Sequence, residues 1–344
     1  MSLHKTGAFL FAVVVAILHF QFNVDLQNRI KQEQMNIRCS QFTGTPRIPF
    51  LFNMTPHENC QCRTNNDTLC CLPCRDIATC ERAQPGTTER LLSEPLVTSI
   101  MEELLHFVPC DIFPLLQTSN LWFIGDSQMG NFYRAMACFL RHFAADRYVQ
   151  DAHIASLNKT IAVACFQLQE PLGKFCQARS DHLTEMTELI DSLYEVGMIN
   201  EQSIVMLNSG LHYDPNDIKA YHHDLLHLIK FNNRKMREFR TVWMDTPAQH
   251  FPGTPLGDYD AAQHCSNCTF SCSPLSKAAA ESGGPYNSVT FGLANLLGDL
   301  HLQTWDLTVL PWHTHLAQAK GDCTHSCHPS AYQFWVFKLG WVFK

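Results

Sequence analysis

From about residue 97 onward the apolar positions of this chain fall into two alternating periods. Stretches 121–124, 160–168, 203–207, 240–244 and 306–310 are short, dense in aliphatic and aromatic residues, and carry the pattern of buried strands. Stretches 97–107, 129–141, 183–194, 218–231, 288–300 and 331–339 repeat apolar residues at three- and four-residue spacing, which predicts helices. Strands alternating with helices predict an α/β fold, a parallel sheet covered on both faces in three α/β/α layers. Ligands of such sheets bind outside the carboxyl ends of the strands, so the loops that follow the strands are where chemistry is expected.

Upstream the pattern changes. Residues 39–96 are rich in Pro, Asn, Thr and Arg without a sustained apolar period, and read as a loop-rich segment stapled by disulfides. The chain begins with His4 and Lys5 ahead of an apolar run over 7–24, the charged and apolar regions of a secretory signal. No small-residue cleavage site follows that run, and its 18 residues fall within the about 17–25 that cross a bilayer core. The expectation is an uncleaved signal anchor, giving a single-pass type II protein of the Golgi or another secretory membrane with its bulk lumenal, or a secreted protein if the signal is removed. The expected organisation is an anchor over 1–24, a cysteine-rich lumenal segment over 25–96 and a catalytic domain over 97–344.

Composition adds three constraints. At about 150 residues per domain, 344 residues make about two domains, or one large domain with an appendage. A formal charge of -7 excludes a strongly basic nucleic-acid binder, so no nucleic-acid partner is expected. The 16 cysteines are even in number and too dense for a typical reduced cytosolic chain; eight precede residue 111 and eight follow it, so each half can pair internally. Four glycosylation sequons, at Asn53, Asn66, Asn158 and Asn267, agree with lumenal exposure.

Two loops carry candidate chemistry. After the first strand the chain reads Gly125-Asp126-Ser127-Gln128, and a serine at a strand-to-helix turn can hold its hydroxyl clear of the sheet while its own N–H stabilises an oxyanion. Taken alone, Asp126 and Ser127 read more readily as helix caps. Near the other end, Asp322 and His325 stand three residues apart, where one turn lets the carboxylate orient the imidazole and stabilise its cation. That spacing alone also fits a metal cluster or plain capping.

The conjunction is specific. Gly-Asp-Ser after the first strand with Asp-x-x-His near the end of the same alternating region resembles the SGNH esterase superfamily. The segment Asp322-Cys323-Thr324-His325-Ser326-Cys327 followed by Pro329 is similar to the terminal motif of its PC-esterase branch, the trichome-birefringence-like polysaccharide O-acetyltransferases and related sialate and glucuronoxylomannan O-acetyltransferases. Leu207-Asn208-Ser209-Gly210-Leu211-His212-Tyr213 resembles that family's Asn-x-Gly-x-His/Trp block. Phe239-Arg240-Thr241 with Thr246-Pro247-Ala248-Gln249-His250-Phe251, and Cys265 beyond, resembles its Phe-Arg-Thr and Ser-Pro-x-His-Phe block. The likeness covers residues 119–340, whereas the amino-terminal cysteine segment lacks the family's Trp-rich stretch.

The resemblance implies an O-acetyltransferase with Ser127 as nucleophile, His325 as base and Asp322 as its orienting carboxylate. It implies an oxyanion hole made by the Ser127 N–H and the Asn208 amide, and acceptor contacts from Arg240 and His250. It further implies a glycan or polysaccharide acceptor, no bound cofactor, and an acetyl donor such as acetyl-CoA as co-substrate. An acetylesterase on the same scaffold is the nearest alternative, and a non-catalytic glycan-binding protein a more distant one. Trp312, in the loop before the Asp-x-x-His turn, is a candidate for stacking on a sugar. Cys323 and Cys327, four apart, cannot easily bond each other across a helical turn, so both are expected in disulfides with partners in the Cys265 to Cys272 cluster. Zinc-like spacing at Cys71-x-x-Cys74 and Cys265-x-x-Cys268 reads as disulfide chemistry in an oxidising lumen, and no metal site is expected.

Overall fold

The computed structural model describes residues 3–40, 49–52, 86–145, 163–235, 238–259, 271–315, 322–328 and 330–343. The four sequons, Cys71, Cys74, Cys265 and Cys268 lie outside these residues.

Six strands form one sheet in the order β2-β3-β1-β4-β5-β6: β1 (Asn120–Gly125), β2 (Val163–Gln167), β3 (Lys174–Arg179), β4 (Ser203–Asn208), β5 (Arg240–Met244) and β6 (Leu300–Leu302). Neighbouring strands are parallel except at the edge, where β2 runs antiparallel to β3. The chain is thus α/β with a mostly parallel sheet.

The inner strands are apolar on both faces because both faces are covered. Leu121, Phe123, Ile204, Met206, Val242 and Met244 pack on one side with helices Ser127–Phe139 and Ala331–Val342. Trp122, Ile124, Val205, Leu207 and Trp243 pack on the other with helices Leu183–Glu195 and Ile218–Lys235. In chain order the helices are α1 (Leu3–Ser40), α2 (Thr87–Leu92), α3 (Pro95–Ser99), α4 (Met101–His106), α5 (Phe113–Thr118), α6 (Ser127–Phe139), α7 (Leu183–Glu195), α8 (Ile218–Lys235), α9 (Lys277–Ser282), α10 (Gly284–Thr290), α11 (Ala294–Leu297), α12 (Trp305–Val309) and α13 (Ala331–Val342).

From β1 the chain runs through α6 to the edge strand β2, turns back as β3 beside β1, and then crosses to β4 on the other side of β1. The order reverses between β1 and β4, and the carboxyl end of such a switch point is where an open α/β sheet leaves a crevice. Close approach of the two strand ends requires Gly125: a Cβ there would stand 2.3 Å from the Asn208 carbonyl oxygen and 2.6 Å from Met129 Cγ.

Several expectations are corrected. Residues 306–310 are not a strand; α12 forms there because Asp245 Oδ2, from the end of β5, accepts the N–H groups of Thr304 and Trp305 at 2.9 and 3.1 Å and caps the helix from a distance in sequence. The last strand is β6, only three residues long and too short to show a period. The expected helix over 97–107 breaks at Ile100 into α3 and α4, and that over 288–300 is replaced by α10, α11 and β6. Strand β3 was not visible in the pattern, since Lys174, Gln177 and Arg179 dilute its apolar residues.

The apolar run 7–24 lies within α1, but the side chains of residues 3–19 are outside the description. Among the described residues no helix is long and apolar enough to cross a membrane. Among the described residues, disulfides join Cys39 to Cys110, Cys165 to Cys176 and Cys272 to Cys323, each within its own half of the chain.

Candidate active site

Ser127 is the first residue of α6, directly after the carboxyl end of β1. Asp126 caps the helix, its Oδ1 accepting the Gln128 N–H at 2.8 Å, so capping and exposure of the serine coexist at adjacent positions. The Ser127 N–H is among the first four of a helix, which have no partner within the helix and lie at its positive end.

The carboxyl-terminal turn meets this serine. Ser127 Oγ lies 2.7 Å from His325 Nε2, and His325 Nδ1 lies 2.8 Å from Asp322 Oδ2. The other carboxylate oxygen, Oδ1, accepts the N–H groups of Thr324 and His325, both at 2.9 Å. This local turn, rather than a helix, brings the ring to the carboxylate. Burial pushes the Asp322 carboxyl up, but the hydrogen bonds and charge of His325 outweigh it and hold the group below the usual carboxylate range. A carboxylate on Nδ1 leaves Nε2 as the acceptor facing Ser127, the tautomer a base requires. The side chains of His325 and Asp322 are 32% and 26% exposed, so the site is open to solvent.

A dense set of contacts fixes the turn. Gln128 Nε2 donates to Thr324 O at 3.1 Å, and Gln249 Nε2 donates to Thr324 Oγ1 at 2.7 Å. The Tyr332 hydroxyl, on α13, donates to Gln128 Oε1 at 2.7 Å and accepts from Asn131 Nδ2 at 3.0 Å and the Ser326 N–H at 3.3 Å. Cys323 is covalently tied to Cys272. Sequence reasoning missed Gln128, Gln249 and Tyr332. Only Gln128 carried a signal, by adjoining the serine.

Beside Ser127 stands a polar rim. The Ser180 N–H donates to Gly125 O at 2.8 Å, and Arg179 holds Asp181 through Nε and Nη2 at 2.8 and 3.2 Å. His212 Nε2 is 3.5 Å from the same carboxylate. Asp126 is buried, which raises its carboxyl above the ordinary value despite the Gln128 N–H and the nearby His212 and His325.

Several predicted site residues are placed differently. Asn208 ends β4, but its Nδ2 donates to Met244 O at 3.1 Å and Asp245 O at 2.9 Å, which occupies both amide hydrogens and leaves none for an oxyanion. Arg240 begins β5, at the sheet edge opposite Ser127, where its guanidinium lies 5.3 Å from the Phe343 ring centroid. His250 is fully buried and bonded to His315 and Val309 O, so it does not face an acceptor. Cys327 is a free buried thiol rather than half of a disulfide; its Sγ donates to Thr314 O at 2.8 Å. Trp312, in the single turn Trp312–Thr314, is half-buried with its ring edge-on to His313.

No family model matches this chain, and no curated protein is significantly similar to it, so the reading of the site rests on its residues and geometry.

Proposed function

We propose that the protein is an O-acyltransferase of the PC-esterase branch of the SGNH superfamily, acetylating hydroxyl groups of a glycan through an acyl-Ser127 intermediate. The observation that carries this reading is the hydrogen-bonded series Ser127, His325, Asp322 at the sheet's switch point. Serine is a weak nucleophile until a base is in hydrogen-bond reach, and the 2.7 Å contact supplies one.

In the first half-reaction Ser127 Oγ attacks the acetyl carbonyl of the donor as its proton passes to His325 Nε2. The bond from Oγ to the acyl carbon forms, the oxyanion faces the Ser127 N–H, and the donor's leaving group departs with the proton. In the second, His325 Nε2 takes the proton of a sugar hydroxyl, the sugar oxygen attacks the acyl carbon, and the released Ser127 oxygen recovers the proton. Asp322 stabilises the imidazolium in both halves. The protein itself holds no cofactor in this scheme; acetyl-CoA or a similar acetyl donor is a substrate.

The polar rim of Arg179, Asp181 and His212 suits hydroxyl-rich acceptors, and Trp312 offers a ring face nearby in sequence. Three disulfides support an oxidising, lumenal setting, with the apolar run over 7–24 as anchor. The test is incubation of the protein with labelled acetyl donor and candidate glycans, followed by the mass of the Ser127 peptide. Acetylated Ser127 with labelled glycan in excess of free acetate supports the transferase. Acetate alone across many glycans makes it an esterase, and an unmodified Ser127 with glycan binding makes it a lectin-like scaffold.

A further inference from the structure

Two buried imidazoles outside the series just described lie against the turn that carries the base. His250 follows β5 and His315 follows the single turn Trp312–Thr314, and their rings meet with His250 Nδ1 2.6 Å from His315 Nε2. Beyond this contact His250 Nε2 faces Val309 O at 3.0 Å, and His315 Nδ1 faces His325 O at 3.1 Å. The main-chain N–H of His250 donates to Cys323 O at 3.1 Å. The pair therefore engages the carbonyls on both sides of Thr324, one through the His250 backbone and one through the His315 ring. His315 also forms a bridge to Ser326 in an antiparallel sense, one residue past the base.

We propose that His250 and His315 are positioning residues for His325, with His315 Nδ1–H donating to the His325 carbonyl and the His250 ring fixing the His315 ring from behind. The proposal rests on the reading of His325 as a base. Proton counting leaves the pair with two possible arrangements of its hydrogens. Three ring contacts each need one hydrogen, carbonyls stand at both ends, and two neutral imidazoles supply two. The arrangement that grips His325 O has His250 Nδ1–H donating to His315 Nε2 and leaves His250 Nε2 bare before Val309 O. The reverse arrangement leaves His315 Nδ1 bare, with the Ser326 hydroxyl 3.4 Å away as its donor, and lets the base's carbonyl go.

Burial pushes His250 down to about 4 and His315 to about 3, so the pair is neutral near neutral pH and the choice between arrangements is real. The titratable groups facing it are His313, Asp322 and His325.

The test uses a fluorophosphonate, which labels an activated serine, on the whole protein. Wild-type protein that does not label removes the nucleophile reading itself. Where the wild type labels, His315→Phe, which keeps a ring and loses both nitrogens, is expected to label about 10- to 100-fold more slowly, the scale of a sub-ångström misplacement. His315→Gln, which restores a donor, should recover part of that rate, and the pH of half-maximal labelling should move in His315→Phe. A folded His315→Phe with wild-type rate and profile overturns the proposal. Nitrogen-15 spectra of the wild-type histidines decide the matter even if the variant does not fold. A protonated Nδ1 on His315 is expected, and a bare one overturns the proposal.

Discussion

Replacing Ser127 by alanine removes one hydroxyl from a half-buried position at the start of α6, and nothing in the core depends on it. Ser127→Ala and His325→Ala are each expected to abolish acyl transfer while shifting Tm by no more than a few degrees, which activity assays beside thermal melts would check. Asp322→Asn should keep the turn through one remaining oxygen yet present an amide to Nδ1; a fall in kcat of about 100- to 10,000-fold is expected. Gly125→Ala is different in kind. Its Cβ would lie 2.3 Å from Asn208 O, so β1 and β4 must part at the crevice, and loss of folded yield rather than of turnover per molecule is the expected result. At this scale the meeting of Ser127, Asp322 and His325 was legible only from the conjunction of two short motifs and the resemblance they carry, since either motif alone also reads as a cap. The partners of Asn208, Arg240 and His250 were not legible, because the carbonyls at the end of β5, the Phe343 ring and the His315 ring come from elsewhere in the chain.

At the scale of elements, the site depends on one irregular turn being pinned to several neighbours. Tyr332→Phe removes the hydroxyl through which α13 reaches Gln128, Asn131 and the Ser326 N–H. Leaving those buried groups short of a partner should cost about 1–3 kcal/mol in chemical unfolding and lower kcat as well. Cys272 and Cys323 close a separation of 51 residues, and opening such a loop is worth about 4 kcal/mol of chain entropy. The paired change Cys272→Ala and Cys323→Ala should therefore lower stability by roughly 2–4 kcal/mol, with activity falling at lower denaturant than the far-UV signal of the sheet. Equal midpoints for the two signals would show that the turn has no independent looseness. Strands β1, β4 and β5 and helices α7, α8 and α13 were legible, since burial on two faces or one writes a clear period into the residues. Strand β6 is too short to write one, and α12 owes its start to Asp245, which no local pattern contains.

The whole molecule carries an acid sensitivity in its histidines. Burial lowers His250 to about 4 and His315 and His328 to about 3, whereas the unfolded chain titrates them at an ordinary value near 6.5. Between those values the unfolded state binds the extra protons, so stability is fully present above about pH 6.5 and falls as the pH drops toward 4. Each group contributes a slope of about 1.4 kcal/mol per pH unit in that window. Melting temperature against pH should show the decline, and His328→Gln, away from the proposed site pair, should make it shallower. The α/β class and the location of the site at the carboxyl edge of the sheet were legible at this scale, because alternation of strand and helix implies both. The strand order was not, since it is decided by which side each crossover takes.

Ser127 and His325 lie 198 residues apart, at opposite ends of the sheet-forming region. At about 5–20 residues per second, synthesis places Ser127 roughly 10–40 s ahead of His325. Throughout that interval the growing polypeptide holds Ser127 without its His325 partner, and every strand of the sheet can pair before that turn arrives. On the proposed reading, competence for acyl transfer waits until α13 settles on α6 and the turn is drawn into place. Acylation of Ser127 would then report the docking of this turn, and stay silent in every molecule where Ser127 and His325 have not met.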